Sequence, residues 1–194
     1  MGKGRIEAFS DGVIAIIITI MVLELKVPEG SDLDALKPLL PVFMSYVLSF
    51  VNIGIYWNNH HHLFHAVQHV NGKIMWGNIH LLFWLSLMPF ATAWMGENHA
   101  SAIPVALMGF DLLMCGVAYF ILTKSIVKFH GRNSKVAQAV GQDNKGFISV
   151  VIYFTAIPLA FVNPWISLSL YLLVACIWFI PDSRIEKKLV DEQA

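Results

Sequence analysis

The sequence predicts an all-α integral membrane protein whose single chain crosses the bilayer six times. Three observations carry that expectation. Of the 194 residues, 57% are hydrophobic and only 13% are charged, against about 45–50% and about 25% in soluble domains. The charged residues leave long uninterrupted gaps. The Lys and Arg residues fall almost entirely on one side of the spans those gaps define.

The gaps give the spans in order. No Asp, Glu, Lys or Arg occurs in 38–72, 74–96 or 146–181, and Asp111 alone interrupts 98–123. A helix needs about 20 mostly apolar residues to cross a bilayer. The last gap is too long for one span and contains Asn163-Pro164, an N-cap followed by proline at a first helical position. The first span has only Gly12–Leu23 free of charge, so its ends must carry Glu7, Asp11 and Glu24, with Pro28 as its stop. The expected spans are 6–27, 36–59, 73–95, 101–124, 146–162 and 164–181, with 182–194 a short tail and no soluble domain.

With six spans both termini share a side. That side would hold Lys3, Arg5, Lys73, Lys124, Lys128, Arg132, Lys135, Lys145, Arg184, Lys187 and Lys188; the other holds Lys26 and Lys37. The bias places both termini in the cytoplasm. The opposite 1–2 loop carries Glu29, Asp32 and Asp34, either as a solvated loop or as a weak attraction for cations. A formal net charge of zero gives no field for nucleic acid. Cys115 and Cys176 read as small buried hydrophobes.

Four features bear on chemistry. His60-His61-His62, His65 and His69 follow the second span; His61/His65 and His65/His69 lie one helical turn apart, which suits a metal or a solvated interfacial patch. Asp111 lies mid-span, either paired to a hydroxyl or Trp N–H, or available to a cation or proton. The opening Arg5-Ile6-Glu7-Ala8-Phe9-Ser10-Asp11-Gly12 puts hydrogen-bonding groups at the start of the first helix, where Ser10 and Asp11 can cap it. Gly12, Ile16, Thr19, Ile20 and Leu23 recur at one helical face, the mark of ordinary packing or of a surface that meets water. No nucleotide-binding, hydrolase or metalloprotease motif occurs, so no catalytic constellation is visible.

The run Arg5-xxx-Phe9-Ser10-Asp11-Gly12-Val13-xx-Ile16-xx-Thr19 closely resembles the opening of the bacterial homologues of the lysosomal transmembrane protein 175 potassium channel. Tyr56-Trp57-Asn58-Asn59-His60-His61 and Leu87-Met88-Pro89-Phe90-Ala91-Thr92 are similar to that family too. The resemblance implies a homotetramer in a bacterial inner membrane, with the first helix of each copy lining a central pore. It implies no cofactor, with K+ and other monovalent cations passing as permeant ions. Ile16 would form the narrowest ring, Ile20 and Leu23 would continue the apolar wall, and Thr19 would offer hydroxyls. Arg5, Phe9, Ser10 and Asp11 would brace the helix, partly against Trp57 and His60. A proton-coupled transporter using Asp111 and the histidines, and a histidine-ligated membrane metalloenzyme, are the competing readings.

Overall fold

The computed structural model describes residues 2–131, 133–140 and 144–179. Apart from one isolated bridge between Gly2 and His69, the regular structure of those residues is helical. Helix α1 is Gly4–Leu23. A 3-10 helix, Leu33–Leu39, runs into α2, Leu40–His65. Then follow α3 (Gly72–Glu97), α4 (Ala102–His130), the short α5 (Lys135–Val140), α6 (Asn144–Leu159) and α7 (Pro164–Phe179).

Four segments are long and apolar enough to cross a membrane: α1, the 3-10 helix with α2, α3 and α4. Helices α6 and α7 are apolar but have 16 residues each, about 24 Å of helix against a hydrocarbon core of about 30 Å. Residues 180 and 181 of the expected last span, and the 182–194 tail, lie outside the described residues.

The centre of the molecule is the α3–α4 pair. Helix α3 packs against α1, α2 and α4, while α4 packs against α6 and α7. This follows from their buried stripes. In α4, Val105, Met108, Leu112, Cys115, Ala118, Leu122 and Ile126 are buried at steps of three and four, one continuous helical face. Lipid is as apolar as leucine, so close backbone approach does much of the work of packing. At Gly96 an added Cβ would stand 2.7 Å from Val42 Cα, so α2 and α3 can touch there only because a side chain is missing. At Gly109 the Tyr171 phenol occupies the space of the absent side chain, and its hydroxyl donates to Val105 O at 3.0 Å.

Several boundaries differ from the sequence expectation, each for a physical reason. Helix α1 begins at Gly4 and stops at Leu23, not at Val27. Pro28 disfavours helical backbone at the residue before it, and Lys26 is drawn off the axis to Glu97, 2.8 Å away. That partner's hydrogen bond and charge raise the Lys26 pKa above its ordinary value. Ser10 is not a cap: its hydroxyl donates to Ile6 O within the helix, 2.8 Å away. Helix α2 does not give way to an interfacial stretch after Asn59 but continues through the histidines to His65. Buried Leu63 and Phe64 carry its packed face onward. Lys3 Nζ donates to Phe64 O and His65 O, both at 2.9 Å, satisfying carbonyls that a helix end leaves free. Helix α4 runs past Lys124 to His130 and ends at Gly131, whose φ of 90° a side chain would resist. Cys115 is buried as expected, but Cys176 is exposed on α7.

Candidate functional site: the uncovered face of the first helix

Helix α1 has two unlike faces. Ile6, Ser10, Ile14, Ile17 and Met21 are buried. They recur at steps of three and four, so one stripe of the helix lies against the rest of the chain. A second stripe is left largely exposed by the described residues: Ile16 is 58% exposed, Ile20 42% and Leu23 79%, against 3% for Ile17. Thr19 shares the uncovered stripe, and its hydroxyl donates to Ile16 O at 2.8 Å. The hydroxyl proton is thereby used within the helix, and the oxygen lone pairs remain open. Exposed Asp11 and Glu24 stand at the two ends of the stripe. Beside it runs a groove in which Ile16 and Ile20 face Ser86, Pro89 and Phe90 of α3.

The buried stripe is anchored at its N-terminal end by a polar chain through three helices. Ser10 is fully buried. Its oxygen accepts from Asn78 Nδ2 at 2.9 Å, and Asn78 Oδ1 lies 2.7 Å from His60 Nε2. Since the Asn78 amide nitrogen is spent on Ser10, its oxygen must accept, and the proton sits on His60 Nε2. The His60 ring stacks on Phe64 with centroids 4.5 Å apart. Ser10 Oγ, both ends of the Asn78 amide and His60 Nε2 thus have partners, as buried polar groups require. A second link is more exposed: Trp57 Nε1 donates to Asp11 Oδ1 at 3.0 Å. Lys3, which caps α2, also lies 3.8 Å from Glu7. Farther along, the Thr92 hydroxyl donates to Met88 O and lies 2.6 Å from the Ser49 hydroxyl, joining α3 to α2.

Of the residues named from sequence, Ser10, Asp11, Trp57 and His60 thus come together at one end of α1. Arg5 and Phe9 do not join them: both are exposed, Phe9 at 56%. Asn78 is the hub of the polar chain, and a scan for charged residues passes over it. It stands inside a 23-residue stretch, 74–96, in which a neutral amide was the signal to look for.

Asp111 is buried, and neither carboxylate oxygen has a hydrogen-bond partner among the described residues. The expected pairing to a hydroxyl or indole N–H is therefore not formed there. The histidines also fail as a metal box, since no group of three or more His, Cys, Asp or Glu among the described residues could hold a metal. His61 instead stacks on Trp57, centroids 6.0 Å apart, with His65 beyond it.

Apolar helices long enough to cross a membrane, one of them exposed along a face with a charged residue at each end, define a helical membrane protein. Comparison with known proteins gives its family. A family model described as endosomal/lysosomal potassium channel TMEM175 matches residues 5–89. A Chryseobacterium sp. (strain P1-3) protein named potassium channel HX13_20290 is 57% identical, over 97% of this chain and 98% of its own length. Potassium channel B446_29190 of Streptomyces collinus is 37% identical over 60% of this chain and 61% of its own. The crystal structure of a lysosomal potassium-selective channel TMEM175 homolog from Chamaesiphon minutus superposes with a TM-score of 0.78 at 27% identity, covering 92% of this chain and 96% of that one.

The chain belongs to the TMEM175 family. Its relatives and its fold are those of a channel and not of an enzyme, so the metalloenzyme and transporter readings give way.

Proposed function

We propose that this chain forms a potassium-permeable channel in which four copies surround a common axis and each gives α1 to the wall. The observation that carries the reading is the uncovered Ile16–Ile20–Leu23 stripe opposite a fully packed one. A single chain leaves that stripe unpartnered, while a cyclic assembly turns the four stripes toward one another. Ile16 forms the narrowest ring, Ile20 and Leu23 extend the apolar wall, and Thr19 sets hydroxyl oxygens beside it. Asp11 and Glu24, costly against lipid, become tolerable at watery mouths.

Ser10 and Asp11 hold α1 to α2 and α3 through His60, Asn78 and Trp57, and Arg5 and Phe9 complete the brace across the subunit boundary. Helices α1, α2, α3, α4, α6 and α7 make six crossings, the shorter last pair thinning the bilayer locally. Both termini face the cytoplasm, and the protein resides in the inner membrane of a bacterial cell.

An isoleucine ring offers an ion nothing in place of its water. Passage then depends on ring width and wetting, and a narrow apolar ring closes by drying. Potassium sheds water more readily than sodium, so the barrier favours potassium modestly. The flux is passive and needs no coupling ion.

Reconstitution into liposomes tests this directly. Potassium efflux is expected down its gradient without a second ion. Ile16→Asn hydrates the ring, so conductance rises and the reversal potentials for potassium and sodium draw together. Absence of flux from a correctly inserted protein, or an Ile16→Asn variant with unchanged conductance and selectivity, overturns the assignment.

A further inference from the structure

On the far side of α2 from its contacts with α1, a cavity of about 200 Å³ lies between α2, α4, α6 and α7. It is lined by Ile55 and Tyr56 of α2, Gly116 and Phe120 of α4, and Phe147 and Val150 of α6. Both phenylalanines are exposed, so the cavity opens sideways, where a bilayer surrounds the helices.

Apart from the Tyr56 and Tyr153 hydroxyls, the polar side chains in the wall are already engaged. Trp178 Nε1 donates to Ser149 Oγ at 2.8 Å. Asn52 and Asn59 give their amide protons to Leu48 O and Ile55 O in their own helix, and the Tyr119 hydroxyl donates to Asn59 O at 3.2 Å. The lining is thus mostly hydrocarbon, with two tyrosine hydroxyls as its remaining polar groups. A mostly apolar void holds water poorly, and beside a membrane the material that suits it is hydrocarbon.

One end of the cavity carries cations. Lys124 Nζ stands 5.2 Å from the centroid of the Phe120 ring, itself part of the wall. Lys145 directly precedes the lining pair Gly146-Phe147 on α6. Helices α4 and α6 pack together, and these lysines belong to the end of α4 and the start of α6, so both stand at the same end. An apolar slot with basic residues at one mouth has the shape and charge of a phospholipid site.

We propose that this cavity binds one acyl chain of an anionic phospholipid, with the phosphate held at Lys124 and Lys145. The site is separate from the α1 face and requires nothing about which ion the channel conducts.

The test uses the full chain in nanodiscs with phosphatidylglycerol bearing a diazirine midway along one acyl chain. After irradiation, adducts mapped by mass spectrometry are expected on residues 112–121 and 146–153. A phosphatidylcholine probe should label them roughly fivefold less, the effect of about one lysine–headgroup interaction. At Gly116 a new Cβ meets Tyr56 Oη and Val150 Cγ2 only at 3.8 Å, an ordinary contact, so Gly116→Leu projects into the cavity. That variant should lose the adducts while its thermal unfolding matches wild type. If it does not fold, Val150→Phe fills the cavity from α6 with the same expected loss. Lys124→Gln should keep the adducts and shrink the preference for phosphatidylglycerol. The proposal is overturned if adducts survive cavity filling, or if the exposed Phe154 and Leu172, outside the cavity, are labelled as densely as the cavity wall. A photo-crosslink running from residues 180–194 into the cavity also overturns it, because the chain would then fill its own slot.

Discussion

The carboxylate of Asp11 and the indole of Trp57, 46 residues apart, meet through one hydrogen bond of 3.0 Å that ties α1 to α2. Its donor can be removed while an aromatic ring is left to stack on His61, as the indole does. Trp57→Phe should lower stability by about 1 kcal/mol, the net worth of one such bond. Asp11→Asn, which keeps an acceptor oxygen, should cost less. Thermal unfolding of the two variants in detergent checks the order; a reversed order would show that the indole N–H is not what holds the two helices.

Asn78 should matter more. It sits between Ser10 and His60 in a fully buried chain. Asn78→Leu strands both partners, and each unsatisfied group costs about 1–3 kcal/mol. The midpoint of unfolding should fall further than in Trp57→Phe. An unfolding curve no worse than that of Trp57→Phe would contradict the buried geometry.

Gly109 and Gly12 make a matched pair. A Cβ at Gly109 would meet the Tyr171 phenol, whereas one at Gly12 meets nothing within 4 Å in the chain. Gly109→Ala should destabilise by about 1–3 kcal/mol as the ring is forced aside. Gly12→Ala should leave the unfolding midpoint unchanged. Differential scanning fluorimetry distinguishes them.

Asp111 offers a test of the opposite sign. Both its oxygens are buried without a partner among the described residues, which is costly in an apolar interior. Asp111→Leu should therefore unfold no earlier than wild type, and Asp111→Asn should stay close to it. An unfolding midpoint clearly below wild type for Asp111→Leu would show that the carboxyl supports the fold.

Thr19→Val preserves shape and removes only a hydroxyl whose one internal bond is to its own helix. Folding should be unaffected. Reversal potentials in planar bilayers should show a smaller preference for potassium over sodium, since the hydroxyl oxygens beside the proposed Ile16 ring are lost. An unchanged permeability ratio would place the Thr19 oxygens outside the ion path.

Much of this molecule was legible from local chemistry. The absence of charge over 38–72, 74–96 and 146–181 marks apolar helices whatever their neighbours, because backbone in lipid must satisfy itself. Asn163-Pro164 marked the break that the structure places between α6 and α7. The spacing of Ile16, Ile20 and Leu23 set them on one side of a helix, and Ser10 and Asp11 stood out as hydrogen-bonding groups, while Trp57 and His60 entered the brace only through the family resemblance.

Periodicity could name that face but not say whether anything covers it, since an apolar stripe looks the same against protein, lipid or a pore. Only packing decided that Ile17 is enclosed while Ile16 is left bare. The partner of Ser10 was likewise beyond local reading, because Asn78 is 68 residues away and is chosen by how α1 crosses α3. Helix ends moved for the same reason: Lys26 reaches Glu97 and Lys3 caps α2 through contacts 71 and 61 residues apart. The chain's own order dictates which segments are helical and oily. Distance across the fold dictates which atoms must satisfy one another, and that depends on three-dimensional packing that no short window of residues contains.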